Sequence, residues 1–501
     1  MKIISKVSVI VDRLLELGVN KIIGVIGSGK SFEIVESFIG KGGDFIESPT
    51  EFSAPIIAGA INKFNPTNDF AVSISIRGPG LASSLPGLYH NFLEDQKSFS
   101  ISESLDNTEM MLTHHKIFDT TNALSCVGLQ KNSNTALFKS FTLDSSRNNN
   151  HRMLHLTTGD DGIFSYIRSE DEMCSDQSAS KELEKRRKVF VIGKRGMEHS
   201  VVQKYLLARV PFFLTPAALP YADLRLPNYM GVWTGNEQFK KFDYGEKLLD
   251  SSVIVRVGVL KRELISLRQK YLHFDLPLTN GNKYLNIQAF IDSYGLVDAD
   301  EESFYYEEFR NKIASMAGDW NVYSAISIIN SLQQDYNYSI DVGSFATIIE
   351  CYLRPIKKFR IHSSFVGKFM GTAASIAIGQ VLSEPTIPLL CMLGDGSFAS
   401  SFNELSTIVS LNLPICIIVF SDDSMHSVMN KKNINQSDLK KFFPVNYSVL
   451  VKTKVDNLPT FEVSSGEAFE TVLKNWNKTS PALVFLKFDP YFYAKGVHLL
   501  R

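Results

Sequence analysis

Residues 386–398 read Thr386-Ile387-Pro388-Leu389-Leu390-Cys391-Met392-Leu393-Gly394-Asp395-Gly396-Ser397-Phe398. The apolar part of this stretch is typical of a strand that is buried on both faces of a parallel sheet, and it stops at Gly394. Two glycines let the backbone turn sharply and approach a ligand, while Asp395 between them offers a hard oxygen atom to a cation such as Mg²⁺. The stretch therefore predicts a strand that ends at a metal and phosphate site.

The residues that follow complete a strand, helix, strand unit. Residues 400–411 carry apolar side chains at helical spacing, and residues 414–420 form a second apolar strand that ends just before Asp422. In a right-handed βαβ unit the two strand ends lie side by side, so Asp395 and Asp422 can reach one ion. Two carboxylates leave room for phosphate oxygens and water around Mg²⁺.

This unit resembles the cofactor motif of thiamine diphosphate enzymes, in which Gly-Asp-Gly is followed at a fixed distance by Asn-Asn. Asp422 stands 27 positions after Asp395, which fits that distance, although Ser421-Asp422 replaces Asn-Asn. The resemblance implies thiamine diphosphate and Mg²⁺ as cofactors, with Asp395, Asp422 and the backbone carbonyl of Ser424 as metal ligands. It also implies that residues of the first turn contact the cofactor, namely Gly394, Asp395, Gly396 and Ser397, together with Asp422.

A second segment, Ser48-Pro49-Thr50-Glu51-Phe52-Ser53-Ala54, opens a helix of small residues. It resembles the family segment whose glutamate activates the cofactor, and here that residue is Glu51. In the family, this carboxyl group hydrogen-bonds a ring nitrogen of the aminopyrimidine and promotes the imino tautomer that deprotonates the thiazolium carbon. Without the resemblance, Glu51 would be a helix-start residue near the positive end of the helix dipole.

Two further loops match the family in the expected order. Arg77-Gly78-Pro79-Gly80 follows an apolar strand and resembles the Gly-Pro-Gly loop of the pyrimidine-binding domain. Asp341-Val342-Gly343-Ser344 resembles the first diphosphate loop, which implies that the backbone amides of Gly343 and Ser344 meet phosphate oxygens. Taken alone, the second loop would be an ordinary turn from a strand to a helix.

The segment Gly367-Lys368-Phe369-Met370-Gly371 precedes another run of small residues. It resembles the part of the family that supports the bent cofactor. The resemblance gives Met370 the position under the thiazolium ring and gives the Lys368 carbonyl a contact with the aminopyrimidine. The alternative is a core methionine before a helix, but Met370 also stands 25 positions before Asp395, as in the family.

The matches extend over almost the whole chain and imply an α/β fold of three doubly wound parallel-sheet domains. At 501 residues the chain has room for about three domains. The predicted ranges are 1–168 for a pyrimidine-binding domain, 169–187 for a charged linker, 188–305 for a central α/β domain and 306–501 for a diphosphate- and Mg²⁺-binding domain. Gly193-Lys194-Arg195-Gly196 keeps a glycine turn in the central domain, but nothing else indicates a dinucleotide, so FAD is not expected.

A competing motif lies near the N-terminus. Gly24-Val25-Ile26-Gly27-Ser28-Gly29-Lys30-Ser31 satisfies the phosphate-loop pattern G-x-x-x-x-G-K-[ST]. A nucleoside triphosphatase would use Lys30 for charge and Ser31 for Mg²⁺. No later strand supplies a well-placed acidic residue until Asp395, which the other motif already explains. A P-loop nucleotide-binding protein is therefore the weaker alternative.

The cofactor implies decarboxylation of a 2-oxo acid, with release of an aldehyde or carboligation to a second carbonyl compound. His114-His115 resembles the paired histidines of some 2-oxo acid decarboxylases, where imidazoles could relay a proton; a solvated loop pair is the alternative. His426 and Glu103 are further pocket candidates. Val428 stands where decarboxylases of the pyruvate type carry a carboxylate, which argues against a simple pyruvate decarboxylase and favours a synthase-like or divergent pocket.

Composition adds boundaries to these predictions. The chain has 44% hydrophobic and 21% charged residues and a net charge of −1, so nothing indicates a nucleic-acid partner. Five cysteines without paired spacing are typical of a reduced, cytoplasmic protein. No apolar run is long enough to span a bilayer.

The family resemblance also implies an assembly. It predicts a homodimer or homotetramer with active sites at the subunit interface, where Glu51 of one chain meets the cofactor that Asp395 of the other chain holds. A different class of function stays open: a protein of this fold that has lost catalysis and acts as a partner or regulatory subunit. Ser421 in place of asparagine favours that alternative, whereas Glu51 argues against it.

Overall fold

The computed structural model describes residues 7–27, 29–64, 70–103, 120–132, 151–157, 163–167, 181, 186–199, 202, 210, 212–233, 252–263, 273–276, 308, 310–421, 446–489, 491–497 and 500. The strands of these residues form three separate sheets, which follow one another along the chain. Each sheet is flanked by helices. The prediction of an α/β fold with three parallel-sheet domains is confirmed.

The first sheet has seven strands in the order β2-β1-β3-β4-β6-β7-β5. Its strands are β1 (Val19–Gly24), β2 (Asp44–Glu47), β3 (Phe70–Ser75), β4 (Ser98–Ser102), β5 (Gln130–Asn132), β6 (His151–Thr157) and β7 (Ile163–Ile167). Strands β1 to β4 and β6 are parallel, whereas β7 pairs antiparallel with β5 and β6. The helices are α1 (Val7–Glu16), α2 (Lys30–Gly40), α3 (Ser53–Phe64), α4 (Pro79–Leu93) and α5 (Thr120–Cys126).

The second sheet has five parallel strands in the order β10-β9-β8-β11-β12. They are β8 (Arg187–Ile192), β9 (Phe212–Leu214), β10 (Tyr229–Val232), β11 (Ser252–Val257) and β12 (His273–Leu276). The described residues of this domain also form the short α-helix α6 (Lys194–Met197) and two 3-10 helices, Pro216–Tyr221 and Lys261–Glu263. Neighbouring β11 and β12 are joined by a buried ion pair, in which Arg256 donates to both oxygens of Asp275 at 2.6 and 2.7 Å. This two-point geometry pairs two charges that would each be costly to bury alone.

The third sheet has six parallel strands in the order β14-β13-β15-β16-β18-β17. They are β13 (Asn337–Ile340), β14 (Ile361–Ser363), β15 (Leu389–Gly394), β16 (Ile415–Ser421), β17 (Thr460–Val463) and β18 (Ala482–Lys487). The helices are α7 (Val322–Ser331), α8 (Ser344–Tyr352), α9 (Ala373–Ser383), α10 (Asp395–Ser400), α11 (Glu404–Ser410), α12 (Tyr447–Lys454) and α13 (Gly466–Asn475). All seven residues of β16 are buried, as expected for a strand covered on both faces.

The first and third domains are joined by the close packing of α3 against α9. A Cβ atom at Gly379 would lie 2.5 Å from the carbonyl oxygen of Ile57 and 2.6 Å from Cβ of Ala60, so only glycine permits this approach. Farther along both helices, the Ser383 hydroxyl donates to the carbonyl oxygen of Ile61 at 3.1 Å. Apolar side chains from both domains share one core around this helix pair.

The helix pair is parallel, because both N-termini meet at a single buried carboxyl group. Glu404 accepts hydrogen bonds from the hydroxyls of Ser53, at the start of α3, and of Ser375, near the start of α9. Glu51 and Met370 each lie a few residues before these two helices. The fold therefore brings the chain segments that carry Glu51 and Met370 to the same end of the helix pair.

Two sequence-based expectations concern the environment of the chain. In the part of the chain that the structure describes, no helix combines the length and the apolar character needed to cross a membrane. The four described cysteines, Cys126, Cys351, Cys391 and Cys416, form no disulfide bond, and only Cys126 is exposed. Burial raises the pKa of the Cys416 thiol to about 12, so this cysteine is unreactive core material.

Candidate functional site

The candidate site lies at the carboxyl edge of the third sheet. Strands β13 and β15 are neighbours, with Ile340 opposite Met392, and Asp341 and Asp395 follow the ends of these strands. Strand β16 pairs with β15 on the other side and brings Phe420 opposite Gly394. The parallel unit predicted around residues 386–421 is thus present. The remaining predicted metal ligands, Asp422 and Ser424, lie outside the described residues.

Asp341 is the buried centre of this edge. Its carboxylate accepts hydrogen bonds from the backbone amides of Gly371 at 3.0 and 3.1 Å and of Ala373 at 3.0 Å. The Ser397 hydroxyl donates to the same group at 2.7 Å, and the Val342 amide donates at 2.9 Å. Burial raises the pKa of Asp341, and these hydrogen bonds act in the opposite direction. One side chain therefore ties together three of the loops that the family resemblance assigned to the cofactor.

Two helices begin at this edge. Gly343 precedes α8 with φ 150°, and Gly394 precedes α10. A Cβ atom at Gly343 would lie 2.9 Å from the Phe345 ring, and one at Gly394 would lie 3.1 Å from it. Glycine at both positions keeps the space above the strand ends clear of side chains. Backbone amides at helix starts favour anions, so the described residues fit a diphosphate group.

Asp395 is half-buried at the first residue of α10, and its Oδ1 atom accepts the Gly396 amide at 2.8 Å. Ser397 is buried in the next turn, where its hydroxyl faces Asp341 instead of open space. Among the described residues, no group of three or more histidine, cysteine, aspartate or glutamate side chains is arranged to hold a metal. Of the three predicted metal ligands, Asp395 is the one that lies among the described residues.

Met370 stands out on the segment between β14 and α9, because half of its surface (50%) is exposed although it is a large apolar side chain. Lys368 adopts a left-handed backbone with φ 50°, and its Nζ atom lies 3.0 Å from Oε1 of the buried Glu350. Gly371 also has positive φ, at 82°. This strained turn presents Met370 outward, so a core role for the methionine is wrong.

Glu51 lies in the turn before α3 and is half-buried. A Cβ atom at Gly80 would lie 3.6 Å from Oε1 of Glu51, so the Gly-Pro-Gly loop and the glutamate are in contact distance. Within the described part of the chain, the Glu51 carboxylate accepts no hydrogen bond. The carboxyl group is therefore available to a ligand at the end of the helix pair where Met370 also lies.

Histidine candidates divide into two groups. His114, His115 and His426 lie outside the described residues. Two described histidines of the first domain are fully enclosed: burial lowers the pKa of His90, and it lowers that of His155 to about 3. His155 is held between the hydroxyls of Ser100 and Ser102 at 2.7 and 2.9 Å. These two rings stay neutral and structural at ordinary pH.

The phosphate-loop pattern in the first domain is filled from within the protein. Oε1 of the buried Glu103, which follows β4, accepts the backbone amide of Ser31 at the start of α2 at 2.5 Å. A Cβ atom at Gly29 would lie 3.0 Å from the same oxygen. A carboxylate thus takes the position where a nucleotide phosphate would bind. This contact argues against the nucleotide alternative and gives Glu103 a structural role.

The glycine turn of the central domain is filled in the same way. The carboxylate of Glu263 accepts the backbone amide of Lys194, at the start of α6, at 3.2 and 3.3 Å, and the Thr215 hydroxyl at 2.7 Å. A Cβ atom at Gly193 would lie 2.7 Å from Glu263 Oε2. A diphosphate at this turn would have to displace a buried carboxylate, which is a physical reason not to expect a dinucleotide there.

Burial raises the pKa of Glu263 to about 7, against an ordinary 4.5. The folded protein therefore favours the protonated group, and this contribution to stability is complete below pH 4.5 and is lost as the pH rises through 7. The loss amounts to about 3 kcal/mol. We expect Glu263→Gln, which cannot ionise, to gain thermal midpoint relative to the wild type between pH 5 and pH 8. A constant difference between the two proteins over that range would contradict the assignment.

Three buried carboxylates near the site were not predicted from the sequence: Glu94, Asp341 and Glu404. Asp341 was part of the matched diphosphate loop, but its position directly after a strand and before a glycine was the signal of its role. Glu404 carried no local signal, because its partners Ser53 and Ser375 are far away in sequence. Burial raises the pKa of Glu404, while the hydrogen bond from Ser53 lowers it.

Comparisons with known proteins agree with this location. Residues 341–484 match the family described as thiamine pyrophosphate enzyme, C-terminal TPP binding domain. The catabolic acetolactate synthase of Raoultella terrigena is 30% identical over 165 residues, which are 32% of this chain and 29% of that protein. The acetolactate synthase of Bacillus subtilis (strain 168) is 25% identical over 173 residues, 34% of this chain and 30% of that protein. The matched segments thus span less than a third of either relative.

Proposed function

Because the chain belongs to the thiamine diphosphate enzymes and is of the acetolactate synthase-like type, we propose that it decarboxylates a 2-oxo acid with thiamine diphosphate and Mg²⁺. The product is released as an aldehyde or joined to a second carbonyl compound. One observation carries the proposal: Glu51, which is half-buried and accepts no hydrogen bond from the described residues, and the outward-facing Met370 lie at the same end of the helix pair α3 and α9. A protein of this fold that has lost catalysis would not need this arrangement.

The proposed roles follow the chemistry of each residue. The amides of Gly343 and Ser344 and the turn of Gly394, Asp395 and Gly396 would hold the diphosphate. Asp395, with Asp422 and the carbonyl of Ser424, would hold Mg²⁺ through oxygen atoms. The bound cofactor would supply a carbanion that adds to the ketone and a sink for the electron pair of the C–C bond that breaks as CO₂ leaves.

The chain's own residues would prepare that chemistry. Glu51 would accept and return a proton at the aminopyrimidine, for which a half-buried carboxyl group that accepts no hydrogen bond from the described residues is suited. Met370 and the Lys368 carbonyl would fix the bend of the cofactor, and the apolar thioether would exclude water beneath it. His114 and His115 are proposed to deliver the proton that replaces CO₂.

The direct test is a calorimetric titration of thiamine diphosphate into the Mg²⁺-loaded protein, with ATP as the control ligand. We expect binding of thiamine diphosphate that disappears when a chelator is added, and no binding of ATP, because Glu103 fills the phosphate loop. A panel of 2-oxo acids, beginning with pyruvate, would then be tested for CO₂ release. Binding of ATP alone would revive the nucleotide alternative, and absence of thiamine diphosphate binding would overturn the proposal.

Cofactor binding without turnover has its own meaning. It would favour the second candidate, a catalytically inactive partner or regulatory subunit, for which the replacement of Asn-Asn by Ser421-Asp422 is the observation in favour. Mg²⁺-dependent CO₂ release from any member of the panel would exclude it.

We further propose a cytoplasmic location, on the basis of the cysteine content.

We also propose a homodimer in which the two copies share their sites. In the structure, α3 and α9 pack within one chain, whereas the family resemblance places Glu51 and Asp395 of one site on different chains. An exchange of domains between two copies makes the same contacts in trans. Such an exchange would leave the surroundings of Glu51 and Met370 unchanged.

Mixing two inactive variants tests the shared site. If Glu51→Gln and Asp395→Ala are unfolded and refolded together, half of the dimers are mixed, and each mixed dimer has one intact site. We expect the mixture to regain about a quarter of wild-type activity. Each variant refolded alone is the control. A mixture that stays inactive, although mixed dimers are detected by mass, would place the whole site within one chain.

A further inference from the structure

Glu94 is the C-cap residue of α4 in the first domain, and its side chain contacts the third domain. Its Oε1 atom accepts the backbone amides of Val366 at 2.9 Å and Gly367 at 3.0 Å, and the Ser364 hydroxyl lies 3.4 Å away. The side chain is buried, with 8% of the residue exposed. These three partners open the segment 364–371, which ends at Gly371 and carries Met370; it is called the Met370 segment below.

The Met370 segment is held at both ends by buried carboxylates from different domains. Glu94 binds the amides at its beginning, and Asp341 binds the Gly371 amide at its end. Between these points, the Ser364 hydroxyl accepts the Phe369 amide at 3.1 Å, and Lys368 has φ 50°. Only Met370 is left facing outward. A strained turn keeps such a conformation only if its surroundings enforce it.

The α4 helix adds an aromatic contact to the same attachment. The Phe369 ring lies 6.0 Å from the ring of Tyr89 and 6.0 Å from that of His90, both in edge-on geometry. The end of α4 is itself fixed to α3, because the Asn91 side chain donates to the carbonyl oxygen of Pro55 at 2.8 Å. The first domain thus sets the position of the Met370 segment through a short, continuous set of contacts.

We propose that Glu94 is a positioning residue of the site. Its contacts link the position of the first domain to the orientation of Met370 in the third domain. The inference rests on the proposed function for its catalytic consequence, but not for the attachment itself. A buried carboxylate that accepts two backbone amides is a strong contact. Its loss would free the Met370 segment while the Asp341 end stays bound.

Hydrogen exchange of the cofactor-free protein tests the attachment independently of catalysis. In Glu94→Ala, we expect the amides of Val366 and Gly367 to exchange about tenfold to a hundredfold faster, because each loses a hydrogen bond to a charged group. The amides of Gly371 and Ala373, which Asp341 holds, should keep their wild-type exchange. Equal acceleration at both ends, or no acceleration at Val366 and Gly367, would overturn the inference.

Two further variants keep the test valid if Glu94→Ala does not fold. Glu94→Gln retains an acceptor oxygen and should preserve much of the protection, whereas Glu94→Asp is one methylene shorter and should lose it. Asp95→Asn is the matched control, because it changes the neighbouring carboxylate, which pairs with Lys194 of the central domain at 3.6 Å. Protection in Glu94→Asp equal to that of the wild type would contradict the proposal.

The catalytic arm uses the same proteins with thiamine diphosphate and Mg²⁺. We expect Glu94→Ala to bind the cofactor about tenfold more weakly than the wild type, with partial rescue in Glu94→Gln. If Glu94→Ala exchanges faster at Val366 and Gly367 but binds the cofactor with wild-type affinity, the positioning role is refuted and only the attachment stands. Absence of cofactor binding in the wild type would refute the proposed function and leave the exchange result standing.

Discussion

Glu51→Gln lowers turnover by about a hundredfold to ten-thousandfold and leaves cofactor affinity close to that of the wild type. The amide retains the size and one acceptor oxygen of the side chain but cannot take up a proton. Within the described residues the carboxylate accepts no hydrogen bond and faces the glycine at position 80, so the substitution breaks no described contact of this group. Stability should therefore change little.

The measurement is steady-state turnover of the 2-oxo acid found in the panel, combined with calorimetry of thiamine diphosphate. Glu47→Gln is the control, because Glu47 is an exposed glutamate at the end of β2, four residues earlier in the chain. Turnover of Glu51→Gln within twofold of Glu47→Gln would remove Glu51 from the proposed mechanism. Loss of cofactor binding in Glu51→Gln would give it a binding role instead of a proton-transfer role.

Asp395→Ala lowers the Mg²⁺-dependent affinity for thiamine diphosphate by about a hundredfold or more, because a metal ligand is removed outright. The change deletes the carboxylate that directly follows β15. Folding should survive, since Asp395 is only half-buried at the first residue of α10.

The comparison is a titration of each protein with thiamine diphosphate at several Mg²⁺ concentrations. Asp456→Ala is the control: Asp456 is exposed and lies before β17, at the opposite edge of the same parallel sheet. Unchanged affinity in Asp395→Ala would defeat the metal role. An equal loss with and without Mg²⁺ would show that Asp395 acts through the fold of the turn and not through the metal.

The sequence predicted those parts of the protein whose signal is local. The run from Leu389 to Gly394 is apolar and stops at a glycine, so both the buried strand and its end could be read directly. The helix predicted over 400–411 is observed only from Glu404 to Ser410, and a separate helix, α10, occupies Asp395–Ser400, part of which was predicted as a turn. Helix breaks of this kind depend on packing that a periodicity does not contain.

The parts that the sequence did not predict are contacts between distant segments. Glu94 binds amides that are about 270 positions away, and Glu404 joins Ser53 to Ser375. Nothing near Glu94 distinguishes it from an exposed glutamate at a helix end. The roles of Asp422, Ser424, His114 and His115 stay predictions, as do the domain boundaries.

The contact between Gly379 and Ile57 has a consequence for biosynthesis. The chain emerges from the ribosome at roughly 5–20 residues per second, so α9 follows α3 only after a delay on the order of tens of seconds. During that interval the apolar side of α3, including the buried Ile57 and Ile61, has no α9 to cover it. A nascent chain in this state is a substrate for chaperones and is prone to aggregate, and an expression host with abundant chaperones should raise the soluble yield.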